Sequence, residues 1–111
     1  MEITQSKMEK AIVLEITGRI DTEDAVRLDV SCDQVIQQGK ANIVFDFTEL
    51  EYLSSSGLRS ILSVSKKLKP LKCQGVIVGA RGKVQEIFDI AGFISLFPMC
   101  DTLEKAVRYM V

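Results

Sequence analysis

Residues 46–62 read DFTELEYLSSSGLRSIL. Serine triplets in flexible linkers need no explanation, but Ser54, Ser55 and Ser56 are flanked on both sides by core-forming residues. They stand where a buried strand gives way to a helix, so their position is fixed by the fold. What a chain gains from three hydroxyls at such a place is the question that organises the rest of the sequence.

Just before this stretch, NIVFDF is short and nearly all apolar, as expected of a strand at the centre of a sheet covered by helices. Just after it, Leu58, Ile61, Leu62 and Leu68 put one apolar face on a helix that Pro70 terminates. Further upstream, Ile12, Leu14 and Ile16 alternate with Val13, Glu15 and Thr17, the period of a half-buried strand. EITQSKME precedes it as a weaker strand, with Glu9-Lys10 as the hairpin turn. From Thr22 to Lys40, Ala25, Leu28, Cys32, Val35 and Ile36 recur at helical spacing; Asp21 or Thr22 caps the start and Gly39 ends it.

Downstream, GVIVGA reads as a buried strand. A helix follows from Lys83 with Val84, Ile87, Phe88 and Ala91 inward and Gly92 as its stop. FISLF is a candidate last strand before Pro98. DTLEKAVRYM then closes as a helix, with Asp101 and Glu104 spaced as a capping box. The order is β-β-α-β-α-β-α-(β)-α with short connections. Alternating buried strands and helices demand a partly parallel sheet, and the opening hairpin makes it mixed.

Bulk composition narrows the function classes. The 111 residues suit one domain, 1–111, with a core of its own. A formal net charge of −1 lacks the basic excess of a nucleic-acid binder. No apolar run is long enough for membrane insertion, and MEITQSKMEK lacks the layout of a signal peptide. The expected compartment is the cytoplasm. Cys32, Cys73 and Cys100 form no C-x-x-C pair and read as small buried residues in a reducing environment. The chain has no histidine. That removes a Ser-His-Asp triad, a histidine metal site and a phosphohistidine relay in their usual forms. The S-x-x-K spacing from Ser63 to Lys66 falls inside a helix rather than at its mouth, and no catalytic residues or bound cofactor are expected.

One serine is accounted for as an N-cap, whose oxygen satisfies an orphan helix N–H and stabilises by about 0.5–2 kcal/mol. Three are not. A phosphoserine carries about −1.5 to −2 charges, and at a helix N-terminus it meets free N–H groups and the positive end of the dipole. The fold would tolerate a phosphate here; a partner docked over it would not.

DFTELEYLSSSGL resembles the signature of the STAS domain family, the anti-sigma factor antagonists: Asp, apolar, Ser/Thr, an aromatic-apolar pair, then Asp-Ser-Ser/Thr-Gly-Leu. LEITGRIDTEDA is similar to the family's second strand and its Gly-x-x-Asp exit, and DTLEKAV to the start of its final helix. The resemblance implies a STAS-like mixed β-sheet of four to five strands packed with about four helices. It implies that Ser55 matches the serine phosphorylated by the family's partner kinase, with Ser54 and Ser56 as alternates. Ser54 stands where most members carry aspartate, so the cap is kept but its charge is lost. Asp21 matches the acidic residue at the mouth of the same site, and Asp46 and Thr48 the motif's opening turn. The implied partner surface is Asp21, Ser54, Ser55, Ser56, Gly57 and Leu58.

What the resemblance implies for function is a non-enzymatic switch. The unphosphorylated chain would bind an anti-sigma factor with serine kinase activity and free a sigma factor. Phosphorylation would end the binding, and a serine phosphatase would reset it. The alternatives are a structural subunit of an ABC-type phospholipid transport complex and a nucleotide or small-molecule sensor. Asp46 as the phosphoacceptor of a receiver domain lacks the required acidic pair and late lysine. The Gly79–Gly82 turn could cradle a phosphate but reads as an ordinary turn, and Lys66, Lys67, Lys69 and Lys72 read as a solvated helix end.

Overall fold

The alternation along Ala11–Ile20 (β2) divides the molecule into two layers. In the computed structural model, which describes residues 1–39, 42–90 and 97–110, Leu14 and Ile16 are buried on one face of the sheet and Val13 on the other. Glu2–Met8 (β1) folds back antiparallel on β2 through the Glu9-Lys10 turn, with Met8 opposite Ala11. Asn42–Asp46 (β3), Gly75–Val78 (β5) and Met99–Cys100 (β6) add in parallel, giving the order β1-β2-β3-β5-β6. A further short strand, Leu50–Leu53 (β4), pairs with the end of β2. This mixed sheet with four helices matches the fold expected from the sequence; β4 is the strand the sequence did not announce.

The helices Asp24–Gln37 (α1), Ser55–Leu68 (α2) and Gly82–Ile90 (α3) bury Leu28, Cys32, Val35, Ile61, Val64, Leu68, Val84 and Phe88 with Leu14, Ile16, Ile43, Phe45 and Ile77 of the sheet. Leu103–Tyr109 (α4) lies on the other face, where Ala106 packs with Ala11, Val13, Val44, Val76 and Val78. One short helix cannot cover that whole face, and Glu15 stays exposed on it. Among the described residues no helix is long and apolar enough to cross a membrane.

Several boundaries differ from the sequence reading, each for a local reason. Neither Asp21 nor Thr22 caps α1 through its side chain. Asp24 instead reaches back to the Asp21 N–H at 3.0 Å, while the Asp21 carbonyl accepts from the N–H groups of Asp24 and Ala25. The capping of α4 is shifted by one residue: Thr102 accepts from the Lys105 N–H at 3.2 Å, in place of the Asp101–Glu104 box. α1 ends at Gln37, two residues before Gly39, whose φ of 135° favours glycine. α2 stops at Leu68, and Pro70 sits in the 3₁₀ turn that follows. Of the expected FISLF strand, residues 93–96 lie outside the described residues, as do the expected last inward residue Ala91 and the stop Gly92. The strand that pairs with β5 is formed beyond Pro98, by Met99–Cys100.

All three cysteines are free thiols; Cys32 is buried and the other two half-buried. Burial, with Asp29 and Asp33 nearby, pushes the Cys32 thiol up from 9.0 to about 12. It should therefore resist alkylation in the folded protein at mildly alkaline pH, while Cys73 and Cys100 react. The unfolded thiol ionises near 9.0, so its linkage removes stability as pH rises above that value. Timed thiol titration with peptide mapping reads the order. Modification of Cys32 at the rate of the other two would contradict its placement.

Candidate functional site

The site is assembled where β3 leaves β2 and β4 takes over. Glu15 faces Asp46 in register, and three residues further Gly18 faces Leu50. The residues between turn sharply. Asp46 is buried, and its carboxylate accepts from the Thr48 N–H at 3.0 Å and the Thr48 hydroxyl at 2.6 Å. That is the turn geometry expected of this pair. It also occupies the carboxylate that a receiver-type reading would need free. β4 then runs alongside Gly18–Ile20 and delivers the chain to the serines.

Ser54 is 6% exposed and fully engaged. Its N–H donates to the Ile20 carbonyl at 2.8 Å, its carbonyl accepts from Leu58 N–H at 2.9 Å, and its hydroxyl caps Gly57 N–H at 3.1 Å. The serine hydroxyl thus satisfies one of the orphan N–H groups at the helix start. Ser55, the first residue of α2, is exposed, and its hydroxyl has no hydrogen-bond partner among the described residues. Ser56 is half-buried and accepts from Arg59 at 3.4 Å. The three serines are therefore not equivalent: one is structural, one is presented, one is partly shielded.

Gly57 sets how closely the helix start approaches the sheet. A Cβ there would fall 2.7 Å from both Ile20 Cγ2 and Leu53 Cδ1. Both side chains are buried, so the residue before Leu58 has to be the smallest one. Leu58 is half-buried and packs on the core.

The Ser54–Ile20 bond also brings the serine turn beside Asp21, which follows Ile20 in the chain. Asp21 is exposed and 3.5 Å from Arg19, whose guanidinium lies 4.4 Å from the Tyr52 ring centroid on β4. Sequence reasoning selected Asp21, Ser54, Ser55, Ser56, Gly57 and Leu58, and all six gather at this end of the sheet. It missed Arg19, Tyr52, Arg59 and Ser60. The Ser60 hydroxyl lies 3.2 Å from the Ser56 carbonyl and 3.4 Å from the Ala25 carbonyl, joining α2 to α1. A polar residue on the buried side of an otherwise apolar helical stripe was the available signal.

Other motifs resolve into packing. Gly79, at φ 75°, lies against Thr48, and Arg81 donates to the Thr48 carbonyl at 2.9 Å, so the Gly79–Gly82 turn braces the Asp46 turn. Lys67 leaves the lysine cluster to bond Asp33 on α1 at 2.6 Å. That bond holds its ammonium above the ordinary lysine range. A cavity of about 830 Å³ lies at the opposite end of the sheet, bounded by Lys7, Lys10, Asn42 and Cys73. It is remote from the serine turn.

The family model described as STAS domain matches residues 2–106. BtrV of Bordetella bronchiseptica, provisionally named an anti-sigma factor antagonist, is 30% identical over 106 residues, covering 96% of this chain and 91% of that protein. An anti-sigma factor antagonist from Mycobacterium paratuberculosis superposes with a TM-score of 0.88 at 23% identity, covering 98% of this chain and 92% of the other. The Bacillus cell fate determinant SpoIIAA, solved in its phosphorylated form, superposes with a TM-score of 0.77 at 17% identity, covering 99% and 100%. At these identities the two structures speak to fold alone.

Proposed function

Because the chain belongs to the STAS domain family, we propose that it is an anti-sigma factor antagonist switched by phosphorylation of Ser55. The reading is supported most directly by one observation: Ser55 is exposed at the start of a 14-residue helix, between a serine consumed as a cap and one partly shielded. The unphosphorylated chain binds an anti-sigma factor with serine kinase activity and so frees a sigma factor. It is a binding protein rather than an enzyme, and its place of action is the cytoplasm.

In the switching step the Ser55 hydroxyl attacks the γ-phosphorus of ATP held by the kinase. ADP leaves, and the hydroxyl proton passes to a base of the kinase. The phosphoryl oxygens then lie at the positive end of α2, beside N–H groups without intrahelical partners. A serine phosphatase hydrolyses the ester and restores binding. A neutral serine at position 54 adds no charge beside the incoming phosphate.

Incubation with the cognate kinase and ATP should add one phosphate, mapped to Ser55 by mass spectrometry. Modification divided over Ser54, Ser55 and Ser56 would sink the assignment, and so would none.

A further inference from the structure

Arg59 is the first cation after the serine turn, and it makes no ion pair among the described residues. Its neighbours on the same side of the molecule are taken: Arg19 by Asp21 and the Tyr52 ring, Arg27 by Asp24, Lys67 by Asp33. The outer side of α1 offers it little. Val26 and Val30 are apolar and 66% and 51% exposed. Asp29, which lines an open groove with Arg59, is not paired with it. The guanidinium instead reaches back along α2 and donates to the Ser56 hydroxyl at 3.4 Å, a long and weak bond.

That direction follows from the helix. Side chains of an α-helix lean toward its N-terminus, so a residue covers those three and four positions before it. Arg59 stands three after Ser56 and four after Ser55, both in the first turn of α2. An anion at i with a cation at i+4 is the favourable order on a helix. A planar fork of N–H donors, spent here on one neutral hydroxyl, matches a phosphate far better.

We propose that Arg59 is the clamp of the phosphorylated state: its guanidinium leaves the Ser56 hydroxyl and closes on the phosphate of Ser55. This rests on the phosphorylation reading and adds to it how the new charge is held. α2 alone then supplies both the phosphate acceptor and its counter-ion. The clamp favours the dianion, so it lowers the second ionisation of the phosphate below its usual value of about 6. For stability, the gain is complete above about pH 6 and is lost as pH falls through the lower value of the folded phosphate. Asp21 and Asp29 oppose the clamp by like charge, while Asp33 is neutralised by Lys67.

Phosphorus NMR titration of the protein with phosphoserine installed at position 55 during translation tests this without the kinase. The midpoint should lie below that of the same protein unfolded in urea. Arg59→Gln should raise it by about 0.2–0.7, as expected of an exposed ion pair. Arg59→Lys should recover part of that, and salt at about 1 M should shrink the difference. Arg19→Gln should leave the midpoint nearly unchanged. Without phosphate, Arg59→Gln should melt with the wild type, since the side chain is exposed. A midpoint that Arg59→Gln does not move overturns the clamp, and so does one that only Arg19→Gln moves. The phosphorylation reading fails separately, if the phosphorylated and unmodified proteins bind the anti-sigma factor equally.

Discussion

Ser55→Asp should weaken binding to the anti-sigma factor by roughly a hundredfold or more. Ser55 is exposed at the first position of α2, on a turn whose main chain is pinned by the Ser54–Ile20 and Ser54–Leu58 bonds. A carboxylate on this exposed position stands in solvent until a partner covers it. It must be desolvated by the partner or meet like charge, which costs several kcal/mol, and each ~1.4 kcal/mol is tenfold. The fold should hardly respond, because a negative charge at a helix N-terminus is worth about 0.3–1 kcal/mol in its favour. Exposed Asp21 beside it offsets part of that. Ser55→Ala should bind normally and resist the kinase. The pair separates a gating charge from a damaged surface: equal affinity of Ser55→Asp and the wild type would end the case for this serine as the switch.

Gly57→Ala should destabilise the protein by about 1–2 kcal/mol, although alanine is the better helix former. The added methyl meets Ile20 and Leu53 at 2.7 Å. Overpacking a tight core costs about 1–3 kcal/mol, against a helix-propensity gain of at most about 1 kcal/mol. In a chain of this size each kcal/mol moves Tm by about 4–8 °C. The methyl also lifts the first turn of α2 from the sheet, shifting Ser55 relative to Asp21. Binding to the anti-sigma factor should weaken along with stability. An unchanged melt would mean that Ile20 and Leu53 yield without strain and that the helix start is not fixed by their contact.

The sequence carried much of this, unevenly. Periodicity gave β2 and the inward face of α1, because buried side chains repeat at the period of the element that buries them; on α2 it gave Ile61 and Leu68 but took Leu62, which is only half-buried, in place of the buried Val64. It did not give β4. Leu50–Leu53 is four residues long with Glu51 exposed, too short for its alternation to stand out from the turn before it. The cap of α4 was misplaced by one residue because Asp101 and Thr102 are neighbours and only the backbone decides which one reaches the free N–H, while at α1 the Asp21 carbonyl and the Asp24 carboxylate take the place of a side-chain cap. Ser55 was legible through its motif. That Ser54 is spent as a cap while Ser55 is presented depends on the Ile20 carbonyl, 34 positions away along the chain, a partner that no local pattern contains. Val26 and Val30 were silent for the opposite reason: off the apolar stripe, they read as ordinary surface.

The same silence marks which positions can change without cost to the fold. Ser54, Gly57 and Ser60 are bound by packing and hydrogen bonds, so changing them damages the fold. Val26, Val30 and Asp29 carry no such duty. Substitutions can accumulate at those three positions while the helix start at Ser55 keeps its geometry.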